Sequence, residues 1–242
     1  MISLTTITLL WIGAVDSFAL DVIQHLMSQG ATVLVGSADN QQDSAIVTLD
    51  LLNPSILGEQ LANLPEFHAV ILSPNLDYVG RFMQLGDTTW DAALSQNFES
   101  LVYAAQQPAH LMIQRQIHGR IIFLSSVMSL MPFSGASALG TPLSGLHTIA
   151  KMAAVDLGQH GITVNTLALG WFPHEAMQPY IGQAHITQGI PLGRLGNAED
   201  VANTCAFLLS PMASYLTGAL IPLDGGYTLT KSEGEGAFGS RE

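Results

Sequence analysis

Positive charge is scarce in this chain. Of its 242 residues only seven are Lys or Arg, against 19 Asp or Glu, which gives a formal charge of −12. Charged residues amount to 11%, where an ordinary domain carries about 25%. So few cations cannot form the phosphate-contacting footprint of a nucleic-acid interface. The acidity likewise opposes an anionic membrane surface. Long hydrophobic runs are missing as well. Ile121-Ile122-Phe123-Leu124 breaks off within a few positions, far short of the ~20 residues that span a bilayer. No basic segment precedes the apolar Leu9-Leu10-Trp11-Ile12, so no secretory signal is expected. Cys205 is the single cysteine, which excludes an internal disulfide and fits a reducing cytoplasm. The eight histidines show no paired ligand spacing, so no metal site is expected.

What is present is apolar. Hydrophobic residues make up 48% of the chain, which excludes disorder and, with so little charge, points to surface hidden in an oligomer. Short apolar runs read as buried strands at Ile7–Ile12, Thr32–Val35, Ala69–Leu72, Arg120–Leu124 and Thr163–Leu167. Helical patterns separate them: Phe18, Val22, Leu26 and Met27 on one face before Gly30, then stretches around 90–106, 143–158 and 199–209. Strands buried on both faces need helical crossovers to remain parallel. The expected fold is therefore a single-domain, doubly wound α/β sheet over residues 1–228, with ligand bound at the strands' carboxyl ends. Residues 229–242, with glycines at 234, 236 and 239, read as a flexible tail.

Several segments carry a resemblance. They are Gly119-Arg120-Ile121-Ile122-Phe123-Leu124-Ser125-Ser126, Gly161-Ile162-Thr163-Val164-Asn165 with Gly170, Pro191-Leu192-Gly193-Arg194-Leu195-Gly196, Tyr215-Leu216-Thr217-Gly218 and Asp224-Gly225-Gly226. Trp90-Asp91 with Asn97 adds a helix motif. In order and spacing these resemble the short-chain dehydrogenase/reductase family over roughly residues 5–228, closest to its 3-oxoacyl-carrier-protein reductase and 3-hydroxyacyl dehydrogenase branch. The resemblance implies a Rossmann-like fold, NAD or NADP as cofactor, and catalysis by a tyrosine and a lysine four residues later, with a serine and an asparagine assisting. Ser126 and Asn97 stand at the last two positions.

The departures fall on the chemistry. The tyrosine position, 13 residues after Ser126, is Leu139, and the lysine position is Leu143. An i,i+4 pair shares one helix face, so two polar groups have become two apolar ones on one wall. Pro142 between them is expected within a helix's first turn. Of the family's three loop glycines only Gly13 remains; Ser17 and Ala19 hold the other places, and Asp16 puts a carboxylate where pyrophosphate would meet a helix N-terminus. Ser37 stands near the position of an acid that contacts the adenosine ribose in NAD-dependent members, and His174 where a threonine often meets the nicotinamide end. Asp50 matches an adenine-contacting aspartate.

Gly13 and Asp50 are thus the candidate cofactor residues, and the cofactor is NAD, NADP or none. His147 is the candidate replacement base, one turn beyond Leu143, though about 12 Å along the axis from Leu139. His174 and Glu175 are expected as solvated loop residues. Three readings follow. The first is a non-catalytic subunit that pairs with an active paralogous dehydrogenase or ketoreductase, a homotetramer being the alternative assembly. The second is an NAD(P)-dependent oxidoreductase with an atypical site. The third is a small-molecule or nucleotide sensor.

Overall fold

The apolar runs become the strands of a sheet. In a computed structural model, which describes residues 2–38, 46–78, 80–174 and 184–230, the strands are β1 (Thr8–Gly13), β2 (Thr32–Ser37), β3 (Ile46–Thr48), β4 (Ala69–Ser73), β5 (Arg120–Ser126), β6 (Thr163–Leu169) and β7 (Leu220–Leu223). They lie in the order β3-β2-β1-β4-β5-β6-β7, and each neighbouring pair is parallel. All five residues of β4 are buried, as continuous apolar runs require when helices cover both faces.

The helices are α1 (Ser17–Ser28), α2 (Pro54–Ala62), α3 (Asp87–Leu94), α4 (Ser100–Gln114), α5 (Ser137–Gly158), α6 (Ala184–Gln188), α7 (Ala198–Leu209) and α8 (Tyr227–Thr230). One face of the sheet packs under α1 and α7, through Phe18, Val22, Leu26, Val201 and Cys205 against Trp11, Ile71 and Leu124. The other face packs under α2, α4 and α5, through Leu57, Leu101, Leu139 and Leu146 against Leu10, Val70 and Phe123. Asn197 starts α7 with a reciprocal cap: its side chain accepts from Asp200 N–H while the Asp200 carboxylate accepts from Asn197 N–H. Arg194 then forks onto both Asp200 oxygens at 2.7 and 2.9 Å.

Three local expectations are corrected. Met27 is 54% exposed rather than part of the apolar face of α1. The helix expected from 143 begins at Ser137, so Pro142 is its sixth residue and lies buried beyond the first turn; the surrounding core holds the helix despite the missing N–H. Two short strands and α2 escaped the periodicity reading. Glu175 and the tail from Lys231 lie outside the described residues, and α8 continues to Thr230. Among the described residues no helix is long and apolar enough to cross a membrane.

Candidate functional site

Strand order reverses between β1 and β4, and the carboxyl ends of β1, β2, β4, β5 and β6 open there onto a groove. Such switch points are where doubly wound sheets bind ligands. Gly13 ends β1 at φ +119°, and a Cβ on it would collide with the Ser73 carbonyl of β4. The same carbonyl accepts Ala14 N–H at 3.0 Å. The glycine is therefore explained by the close approach of the two chains, with or without a ligand.

Asp16 follows in the turn between β1 and α1. Its Oδ1 accepts the amide of Ala19 at 2.7 Å, so its side chain is the N-cap of α1. Its Oδ2 lies 2.5 Å from Nε2 of His174, which arrives from the segment after β6. Burial alone would raise the Asp16 pKa. The His174 hydrogen bond, the Ala19 amide, the charge of His174 and the Phe18 amide outweigh it and hold the carboxyl below its ordinary value. His174 is 7% exposed, not a solvated loop residue as expected. Phe18 closes the contact, with its ring 5.5 Å from Phe172 and 6.5 Å from His174.

This bridge divides the groove. Asp16, Ser73 and His174 border both halves. On one side lies an apolar compartment among Trp11, Phe18, Leu124, Met128, Trp171 and Phe172, with a cavity of only about 40 Å³. That is space for a few waters. On the other side a polar compartment of about 530 Å³ is lined by Ser37, Asp50, Gln60, Asn75, Asp77 and Gln96 among others. Among the described residues no Lys or Arg borders either compartment.

Of the expected site residues, Ser126 borders the apolar compartment. Its hydroxyl accepts Met128 N–H at 3.3 Å and caps the short turn Val127–Ser129. Asn97 is fully buried in a π-helical turn, Ser95–Glu99. Its Oδ1 accepts Asn75 N–H and its Nδ2 donates to Asn75 C=O, both at 2.7 Å, so the amide is spent on holding the loop after β4. Leu139 and Leu143 share one face of α5 as expected, both at 0% exposure in the core beneath the sheet. Neither borders the two compartments. Asp50 does border the polar one. Its carboxylate accepts Asn53 N–H at 3.2 Å, next to the start of α2.

His147 is buried behind the compartment wall. Its Nε2 lies 2.9 Å from Ser125 Oγ and 3.2 Å from Ser129 Oγ. Burial first, and the Lys151 charge one turn on second, lower its pKa and favour the neutral ring. His147 is expected to reach a substrate only through a water relay; within the chain its direct partners are Ser129 and Ser125, the residue before the expected serine. Among the described residues no group of three or more His, Cys, Asp or Glu is placed to hold a metal ion.

The family's cofactor can be tested against this geometry. A dinucleotide pyrophosphate is held by free amides at the N-terminus of α1, where the helix dipole favours an anion. Here the Ala19 amide is taken by the chain's own carboxylate, which puts a negative charge at that end. No Lys or Arg among the described residues borders the groove, and aromatic rings wall the nicotinamide side down to a small cavity. The residues present do not fit a dinucleotide spanning both compartments.

Comparison with known proteins agrees with the fold. The family described as Enoyl-(Acyl carrier protein) reductase matches residues 67–228. The 3-oxoacyl-[acyl-carrier-protein] reductase of Escherichia coli (strain K12) is 26% identical over 231 residues, covering 88% of this chain and 94% of that protein. L-xylulose reductase of Bos taurus is 27% identical over 236 residues, covering 90% and 95%. Among solved structures, a gluconate 5-dehydrogenase from Burkholderia cenocepacia J2315 in complex with NADP and tartrate superposes with a TM-score of 0.82 at 20% identity, covering 92% of this chain and 95% of that one. The match over residues 67–228, on an all-parallel sheet of this order, shows that the chain belongs to the short-chain dehydrogenase/reductase family.

Proposed function

We propose that this chain is a non-catalytic member of the family, acting by assembly with an active paralogous NAD(P)-dependent dehydrogenase or ketoreductase. One observation carries the reading: Leu139 and Leu143, at the positions of the family's proton donor and its cation, are wholly buried core residues. Carbonyl reduction needs a group that delivers a proton at the carbonyl oxygen as hydride arrives. Leucine has no proton to give and no charge to lower a neighbour's pKa.

Assembly is supported by apolar surface on a chain with little charge. Met152 and Val155 stand on the outer side of α5 at 59% and 78% exposure, and Leu192, Met212, Tyr215 and Leu229 are at least 70% exposed. Apolar exposure of this kind marks interaction sites when it is contiguous. Affinity purification of the tagged chain from its native host, read by native mass spectrometry, tests the reading. An intact family member bound in fixed ratio is the expected result. A homotetramer that contains no other chain and reduces a 3-oxoacyl thioester overturns it.

The rival reading is an NAD(P)-dependent reductase, in line with the similarity to a 3-oxoacyl-[acyl-carrier-protein] reductase and an L-xylulose reductase. It would have to work through Ser126 and Asn97, whose amide is held by Asn75, with His147 behind Ser125, and with the groove between its two compartments rearranged.

A further inference from the structure

We infer that the Asp16–His174 pair is an autoinhibitory contact, in which the chain's own carboxylate stands in for a bound anion at the head of α1 and keeps the groove closed to nucleotide pyrophosphates. The inference deepens the non-catalytic reading by naming what shuts the cofactor cleft, separately from what disables the chemistry.

Three features make the pair more than a helix cap. First, it is long-range: residues 158 positions apart meet at 2.5 Å, tying the β1–α1 turn to the segment after β6. Second, it is shielded on the histidine side, with His174 buried and the rings of Phe18 and Phe172 packed beside it, while the Asp16 side chain stays 24% exposed. Third, it stands at the boundary of the two compartments and borders both. An anion entering from the polar side meets a carboxylate already bonded to the Ala19 amide, with no Lys or Arg among the described wall residues to offset the repulsion. The five cations of the described residues are used elsewhere or lie away from the groove. Arg194 is forked onto Asp200, Arg115 donates to the Ala62 carbonyl, and Arg120 donates to His118 and Gly119 at the amino end of β5. Lys151 is on the outer side of α5, and Arg81 borders a separate depression with Phe82 and Phe133.

The polar compartment is large enough for a nucleoside, so the block acts at the phosphates rather than at the rest of such a ligand. Release of the pair should therefore restore pyrophosphate binding without any change to Leu139 or Leu143. ADP-ribose is the discriminating probe, because it needs the polar compartment and the head of α1 but not the filled apolar side.

The experiment is calorimetric titration of the full-length chain with ADP-ribose, for wild type, Asp16→Ser and Asp16→Ser/His174→Thr. Serine keeps an N-cap for α1, so the fold is retained; thermal unfolding of each variant checks this. Wild type is expected to show no saturable binding below millimolar ligand. Asp16→Ser should bind at least tenfold more tightly than wild type, and the double variant should match or exceed it. Micromolar binding by wild type overturns the inference. So does a folded Asp16→Ser variant that binds no better than wild type. Parallel turnover assays separate this from the role proposed above: a variant that gains binding and remains inactive supports both. Turnover by a variant that still carries Leu139 and Leu143 supports the bridge and sinks the non-catalytic reading.

Discussion

His147 of α5 lies 2.9 Å from the hydroxyl of Ser125 on β5, so a histidine and a serine 22 residues apart meet beneath the wall of the groove. Ser129 completes the cluster, 3.1 Å from Ser125 Oγ and 3.2 Å from the ring, and its own hydroxyl donates to the Ser126 carbonyl. The cluster fixes the end of β5 from behind.

Because burial and then Lys151 lower the His147 pKa, the unfolded chain takes up a proton at this site before the folded chain does. Stability contributed by the neutral ring is present above the unfolded pKa of about 6.5 and is lost as pH falls below it. The melting temperature of wild type should therefore drop between pH 7 and pH 5. His147→Gln, which retains a hydrogen-bonding side chain but does not titrate, should show a smaller drop over the same range. Thermal unfolding monitored by circular dichroism at each pH reads the difference, and equal slopes would count against a neutral buried His147.

Asn97 spends both ends of its amide on the backbone of Asn75. Asn97→Ala removes two hydrogen bonds from a fully buried position and leaves the Asn75 groups unmatched. Stability should fall by roughly 2–4 kcal/mol, measured by urea denaturation. A fall of less than about 0.5 kcal/mol would show that the loop after β4 is held by other contacts.

Leu143 is at 0% exposure in the core. Leu143→Ala should cost about 2–5 kcal/mol. Leu143→Lys should cost at least as much, because it adds an unpaired charge in the same place. The double variant Leu139→Tyr/Leu143→Lys, which reinstates the family's pair, should show no reductase activity while the Asp16–His174 contact is in place. Activity in that variant would mean that the groove opens more readily than its geometry indicates.

Cys205 lies on the sheet-facing side of α7 and is fully buried, and burial pushes its thiol pKa up to about 12. A thiolate is the reactive form, so the native chain should react with an aromatic disulfide reagent only as it unfolds. The labelling rate should follow denaturant concentration. Stoichiometric labelling of native protein within minutes would contradict this packing.

The interior strands were legible in sequence because burial on both faces leaves an unbroken apolar run, as in Ala69-Val70-Ile71-Leu72. The edge strands were not. β3 has three residues, none buried, and β7 carries Pro222 and has no buried residue. α2 was hidden by its brevity and by Gly58 in its middle. At the site, Leu139, Leu143 and the carboxylate of Asp16 could be read from register alone. His174 could not, since nothing local marks a histidine as the partner of an aspartate 158 positions earlier. Ser125 was missed for a related reason: alternation along β5 turns it toward α5, and only the packing of that helix brings His147 to it.

The proposed non-catalytic role rests on Leu139 and Leu143 standing where the family places its proton donor and cation. Its most direct test is NADH and NADPH oxidation by the purified full-length chain at high protein concentration, with a 3-oxoacyl thioester as substrate and the Ser126→Ala variant alongside. A rate indistinguishable from the enzyme-free mixture is expected for both proteins. Saturable turnover by wild type that is lost in Ser126→Ala would contradict it.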